Sequence, residues 1–299
     1  MAISRRAALL TKTYKVLKKH YKPVIPPSDR ALLEQLLYAC CLENAAYEKA
    51  DEAFARLQHL FFDWNEVRVS TVKELAEVMT GLPKPREAAS NVKYALQNVF
   101  ESLYSFDLEF LRKKNIGKTV KQLEQCGRIT PFVIGYVTQN ALKGHAIPVD
   151  QGVLDTLLIL GVISDAEAKK GIVPGLERAI PKSKGVEFGS LVHQLGADYV
   201  AARYSQAVRS ILLEIEPDAK ERLPKRVSKK VAAKRAADEK RPKARPTKTQ
   251  APKAKKKTAK AAKKRITADK QPVGSAVRKK AGATDKKSAT KRLSKRKPR

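Results

Sequence analysis

The sequence predicts an all-α core over residues 26–216 followed by a basic tail with no packed core of its own. Three observations carry this. Apolar residues recur at helical spacing through most of the core, and no stretch shows the strict alternation of a half-buried strand. After Pro217 the aromatic residues vanish and Lys, Ala, Pro and Thr take over. The charge divides at the same place. Of the net +32 over 299 residues, the segment 220–299 holds 33 Lys+Arg and 5 Asp+Glu, whereas residues 1–219 hold 29 and 25.

The elements follow in order. Residues 1–25 contain no acid and are rich in Lys and Arg, which reads as a basic, partly helical arm. They lack the Ser-rich texture of a transit peptide and the apolar centre of a secretory signal. Pro26, Pro27 and Ser28 open a segment with Leu32, Leu33, Leu36, Leu37 and Cys40 on one helical face. Thr71 and Glu74 have the spacing of a capping box, in which the hydroxyl and the carboxylate each satisfy a backbone N–H of the first turn. Arg86 to Tyr104 is amphipathic, with Val92, Ala95, Leu96, Val99 and Leu103 on its apolar side. A Gly-Arg-Ile-Thr turn leads into a helix from Pro131 to Leu142. Pro148-Val149-Asp150 opens an apolar helix through Leu160, and Ser164 with Glu167 repeats the capping box. The last periodic stretch, Phe188 to Ile215, is long enough for two helices.

The tail, 217–299, cannot bury enough apolar area to offset its chain entropy, and its like charges repel, so disorder in isolation is expected. Its densest run contains Lys253, Lys255, Lys256, Lys257, Lys263, Lys264 and Arg265. Lysines on a flexible chain track a phosphate backbone and release condensed counterions, which makes binding steeply salt-dependent. Such contacts position without reading sequence. A nucleic-acid partner is expected, and the tail by itself does not choose DNA over RNA. A membrane partner is disfavoured, because the tail has no Phe, Trp or Tyr to insert and no run in the chain has the length and apolarity of a span.

Other chemistry is thinly represented. Cys40, Cys41 and Cys126 show no disulfide spacing, which fits a reducing compartment: cytoplasm and nucleoid, or nucleus in a eukaryote. His20, His59, His145 and His193 are scattered without ligand spacing, so no metal is expected. His193 reads as a structural residue of its helix. Phe61, Phe62 and Trp64 read as core packing. There is no glycine-rich nucleotide loop and no Ser/His/Asp arrangement.

One constellation is specific. In Leu123-Glu-Gln-Cys-Gly-Arg-Ile-Thr130 a helix ends at a glycine turn and a second begins. A short loop then reaches Ile147-Pro-Val-Asp150 at the head of a third. A glycine hairpin between helices presents backbone N–H groups to a phosphate. These residues resemble the helix-hairpin-helix DNA glycosylase superfamily of the endonuclease III type. Leu123, Gly127, Arg128 and Thr130 match the hairpin, and Val149-Asp150 matches the catalytic segment. The resemblance extends over roughly Asp29 to Glu216, with LLYACC at 36–41 and GLPKPREAASNV at 81–92 as weaker matches. It implies a two-lobed helical fold, double-stranded DNA as the partner, and a role in base-excision repair or descended from it. It also implies that Gln125, Gly127, Arg128 and Thr130 hold the DNA backbone, and that Asp150 activates water and stabilises the oxocarbenium-like sugar.

The departures qualify the chemistry. Ile129 stands where the family carries its Schiff-base lysine, and a side chain without an amine cannot attack the sugar, which leaves a monofunctional N-glycosylase as the active form. Gln125 replaces the first hairpin glycine, Cys40 the pocket glutamine, and Gly152 the histidine that follows the catalytic aspartate. No cysteine follows Cys126, so no iron–sulfur cluster and no other cofactor is expected. Asp150 has a second reading as an N-cap, worth about 1 kcal/mol. The whole chain has a second reading as an architectural, histone-like DNA binder that kept the fold without the chemistry, and a third as an RNA-binding accessory protein.

Overall fold

The computed structural model describes residues 2–27, 29–125 and 129–225. Gly127, Arg128 and the tail lysines, with the disorder expected of the tail, lie outside the described residues. All described residues belong to one unit, Met1–Lys240. They contain fourteen α-helices and one short 3-10 segment, and no strand.

The basic N-terminal segment forms helix α1 (Ala2–His20), and one face of it is packed into the fold. Leu9, Leu10, Tyr14, Val16 and Leu17 fall on one face and are buried, Leu10 and Leu17 completely. Burial of each leucine stabilises by about 1.5–3 kcal/mol. The basic residues on the other faces meet acids far along the chain. Arg6 forms a two-pronged contact with Glu167 (2.9 and 3.0 Å). Lys18 pairs with Glu187, and Lys19 and His20 with Glu214. Part of the basic character of this segment is thus matched within the fold.

The chain then enters the first lobe, which is built around α2 (Leu32–Leu42). Every residue of α2 except Glu34 is buried. The apolar face read from the sequence is therefore only part of it: Tyr38, Ala39, Cys41 and Leu42 are enclosed as well. Around it stand α3 (Tyr47–Leu60), α4 (Trp64–Val69), α5 (Val72–Val78) and α6 (Pro85–Leu103), then the 3-10 segment Glu109–Lys113, α7 (Ile116–Gln125) and α8 (Pro131–Asn140). The capping box of Thr71 and Glu74 forms at the head of α5. Phe61 and Trp64 pack against this core. Phe62 does not: its ring is 95% exposed, because the chain turns at the end of α3 and points it outward.

Near Ile147 the chain returns to the second lobe. This comprises α9 (Gln151–Leu160), α10 (Asp165–Lys169), α11 (Leu176–Ala179), α12 (Lys182–Ala201), α13 (Gln206–Ile215) and α14 (Ala219–Arg222). Ser164 and Glu167 close the second capping box at α10. The periodic stretch from Phe188 to Ile215 is two helices, α12 and α13. Helix α1 completes this lobe beside α11, α12 and α13. The packed part continues past residue 216, since Ala219 and Leu223 are buried and Arg222 Nε donates to the Ile159 carbonyl (2.6 Å).

Within the second lobe α9 crosses α12 at very close range. A Cβ on Gly152 would lie 2.6 Å from the Gly196 carbonyl oxygen, and a Cβ on Gly196 would lie 2.7 Å from Val153 N. Only paired glycines let the two backbones approach this closely. The position after Asp150 and Gln151 has no room for the histidine of the resembling family.

Candidate functional site

Asp150 is the last residue before α9, in extended backbone (φ −102°), and caps that helix. Its Oδ1 accepts from Val153 N (2.8 Å). Its Oδ2 accepts from the backbone N–H of Asn44 (3.0 Å), which belongs to the first lobe. Asn44 answers with its own side chain, whose Oδ1 accepts from Gly152 N (3.1 Å). Two successive N–H groups at the head of α9 are thereby satisfied from two lobes, where a helix otherwise leaves them orphaned. Asn44 sits at φ +62°, a region in which Asn is among the few side chains that settle readily.

His193 of α12 lies beneath this junction and is 1% exposed. Its Nε2 lies 2.9 Å from the Ala45 carbonyl oxygen, an acceptor only, so that nitrogen carries the proton. Its Nδ1 is 3.1 Å from Asp150 Oδ2, close enough for an ion contact but off the alignment of a hydrogen bond. Phe132 stacks on the ring and Tyr47 meets it edge-on, both from the first lobe.

Complete burial of the Asp150 side chain opposes ionisation. The His193 contact and the N–H groups of Val153 and Asn44 together outweigh it, and the carboxyl stays below its ordinary pKa. The neighbouring Glu43 behaves oppositely. Burial, opposed by the Thr130 hydroxyl and reinforced by the charges of Asp150 and Glu87, pushes it up to about 7. Thr130 Oγ1 donates to Glu43 (3.0 Å) while it accepts from Val133 N (3.3 Å) as the N-cap of α8. Two consecutive residues therefore reach two predicted site residues: Glu43 reaches Thr130 at the head of α8, and Asn44 reaches Asp150.

The remaining predicted residues fall around this line. Gln125 ends α7 and is exposed, and Ile129 is half-buried against the first core. Cys40 is buried and its thiol is raised well above the usual range by desolvation, so it offers little to a base edge. Glu43, Asn44 and His193 are the residues that sequence reasoning missed or set aside. The signal available was faint: a polar Glu-Asn pair directly after the apolar run LLYACCL.

The junction is closed. A cavity of about 20 Å³ touches Glu43, Asn44, Cys40 and Asn91, and one of about 10 Å³ touches His193 and Tyr136 on the other side. Each has room for about one water and none for a nucleobase. Exposing the Asp150 carboxylate requires breaking its bond to Asn44 N.

The residues do not fit an iron–sulfur cluster. The chain has three cysteines, and Cys40 and Cys41 are sealed in the first core, so no four-thiolate set exists. Among the described residues no group of His, Cys, Asp or Glu is arranged to hold a metal ion, and no helix is long and apolar enough to cross a membrane.

No protein-family model matches the sequence, and no curated protein matches it. Solved structures do. A trapped endonuclease III–DNA covalent intermediate, the estranged-adenine complex, aligns at 16% identity with a TM-score of 0.52, over 75% of this chain and 99% of that one. A thermostable thymine-DNA glycosylase aligns at 12% identity with a TM-score of 0.44, over 68% and 89%, and the fold assignment rests on the first alone. The chain has the all-α, two-lobed fold of the endonuclease III type, as the residues at 123–130 and 149–150 imply.

Proposed function

We propose that this chain is a DNA-repair protein that engages duplex DNA at the junction of its two lobes and acts as a monofunctional DNA N-glycosylase. The observation that carries the proposal is Asp150, a carboxylate held ionised where the two lobes meet and coupled through Asn44 and Glu43 to Thr130 at the head of α8. In this role Asp150 orients a water and stabilises positive charge on the sugar as the base departs. Gln125, Gly127, Arg128 and Thr130 hold the backbone, and the basic segment beyond Lys225 adds affinity without sequence preference. Ile129 excludes Schiff-base chemistry at its position, because an amine is the required nucleophile. A target nucleotide reaches Asp150 only by leaving the stack and parting Asn44 from the carboxylate, a cost that falls for damaged or mismatched bases.

A second reading rests on the closure of the same site. Every oxygen of Asp150 is already engaged and its side chain is wholly enclosed, which also suits a binder in which the aspartate is only a cap. One experiment separates the two. Full-length protein is incubated with duplexes that carry a panel of damaged bases and then treated with alkali. Strand breaks that vanish in Asp150→Asn, while duplex binding persists, support the glycosylase. No breaks on any duplex, with binding intact in both proteins, leave the binder.

A further inference from the structure

A groove of about 820 Å³ opens on the second lobe and shares no lining residue with the junction. It lies between the start of α13 and the end of α14. Four cations line it, Arg203, Arg209, Lys220 and Lys225, and no acid does. Arg6, Lys18 and Lys19 of the same lobe are by contrast each matched with an acid. Arg203 touches Asp155 at 3.4 Å, whereas Arg209, Lys220 and Lys225 make no ion pair among the described residues.

A second feature points the same way. Helix α13 has ten residues, Ser205 at its head makes no side-chain cap, and its first turn holds no acid. Its leading N–H groups and the positive end of its dipole therefore meet no side-chain cap and no first-turn acid. The floor is apolar around Leu212, so the cations stand over a surface that does not hydrate them strongly. The described chain leaves this groove at Lys225, and the segment 226–299 adds 30 Lys+Arg against 4 Asp+Glu.

We propose that this groove is a second phosphate-binding site, which holds the phosphodiester backbone of duplex DNA beside the stretch engaged at the lobe junction and hands it on to the basic segment. The proposal rests on the nucleic-acid reading above. From His193 to the end of α12 the helix rises about 12 Å. The groove therefore lies beyond the C-terminal end of the helix that carries His193.

The test uses the full chain and a labelled duplex over a salt series. Arg209→Gln/Lys220→Gln removes two groove charges, and Lys169→Gln/Lys170→Gln removes two exposed charges elsewhere on the same lobe. The groove variant is expected to bind roughly tenfold more weakly and to lower the salt slope by about 2, with the control much less affected. Thermal unfolding checks that both variants are folded. Equal, small losses in the two variants overturn the groove and leave the nucleic-acid reading standing. No duplex binding by the wild type overturns both. Binding of inorganic pyrophosphate that depends on Arg209 and Lys220, with duplex binding unchanged, assigns the groove to free phosphates and overturns the duplex commitment.

Discussion

Asn44 and Asp150 belong to different lobes and cap the same helix. Asp150 takes the N–H of Val153, Asn44 takes that of Gly152, and the Asn44 N–H closes the set by donating to the Asp150 carboxylate. This small polar cluster is where the two cores are tied together at the mouth of the candidate site, so its loss is felt in stability as well as in function.

Asp150→Ala strands two buried N–H donors and removes a cap, and is expected to cost about 2–4 kcal/mol in urea unfolding. Asn44→Gly keeps the left-handed backbone and the N–H donated to Asp150 but loses the side-chain acceptor. Its expected cost is about 1–2 kcal/mol. Equal effects from the two changes would contradict the assigned roles.

The paired glycines give a steeper prediction. Gly152→Ala sets a methyl group against the Gly196 carbonyl, a backbone atom that cannot rotate aside. A loss of about 2 kcal/mol or more is expected, together with a shift of α9 against α12. Calorimetry of the variant measures the first, and the environment of His193 in an NMR spectrum reports the second.

Glu43 sets a pH dependence whose sign can be stated. Its folded pKa, about 7, lies above the ordinary 4.5, so the folded state holds the proton more tightly. Its stabilising contribution is complete below about pH 4.5 and is lost as pH rises through 7. Glu43→Gln should therefore match the wild type near pH 4.5 and exceed it by about 1–3 kcal/mol around pH 8. Asp150 runs the other way: its contribution is present above its ordinary 3.8 and fades as pH falls below it. Urea midpoints of wild type and Glu43→Gln at the two pH values check the difference.

Removal of the basic segment should be made after Lys225 and not at residue 220, because Ala219 and Leu223 belong to the second core. The truncated protein is expected to lose most of its non-specific affinity for duplex DNA and most of its salt slope. Unchanged affinity and slope would remove the segment from the account of binding.

Borohydride added during incubation with damaged duplex should trap no covalent adduct, since Ile129 has no amine. A trapped species would identify another lysine as the nucleophile and displace the monofunctional assignment.

What the sequence revealed and what it hid divide by distance along the chain. The caps at Thr71, Ser164 and Asp150 each bind a backbone group three residues on, so a short window contains the whole signal. The place of α1 depends on Arg6 meeting Glu167 and on Tyr14 meeting Glu187, and no local pattern shows that an apolar face belongs to a lobe made later. Asn44 was hidden for the same reason, since its partners are Asp150 and Gly152. Phe62 misled because it adjoins two aromatics that do pack. Asp150 at the head of α9 was legible because its cap is local, but its enclosure by His193 and Asn44 was not.

The position of α1 has a consequence for the order in which the protein is made. The first lobe is drawn from one continuous stretch and can close as soon as Leu142 has emerged from the ribosome. Helix α1 emerges before any of it, yet its docking surface on α11, α12 and α13 is translated only after the first lobe. Until then its row of leucines has no native partner, while the residues around it are cationic. Helix α1 is thus placed only after the first lobe has been made, and folding of the second lobe has to wait until the chain has passed Leu223.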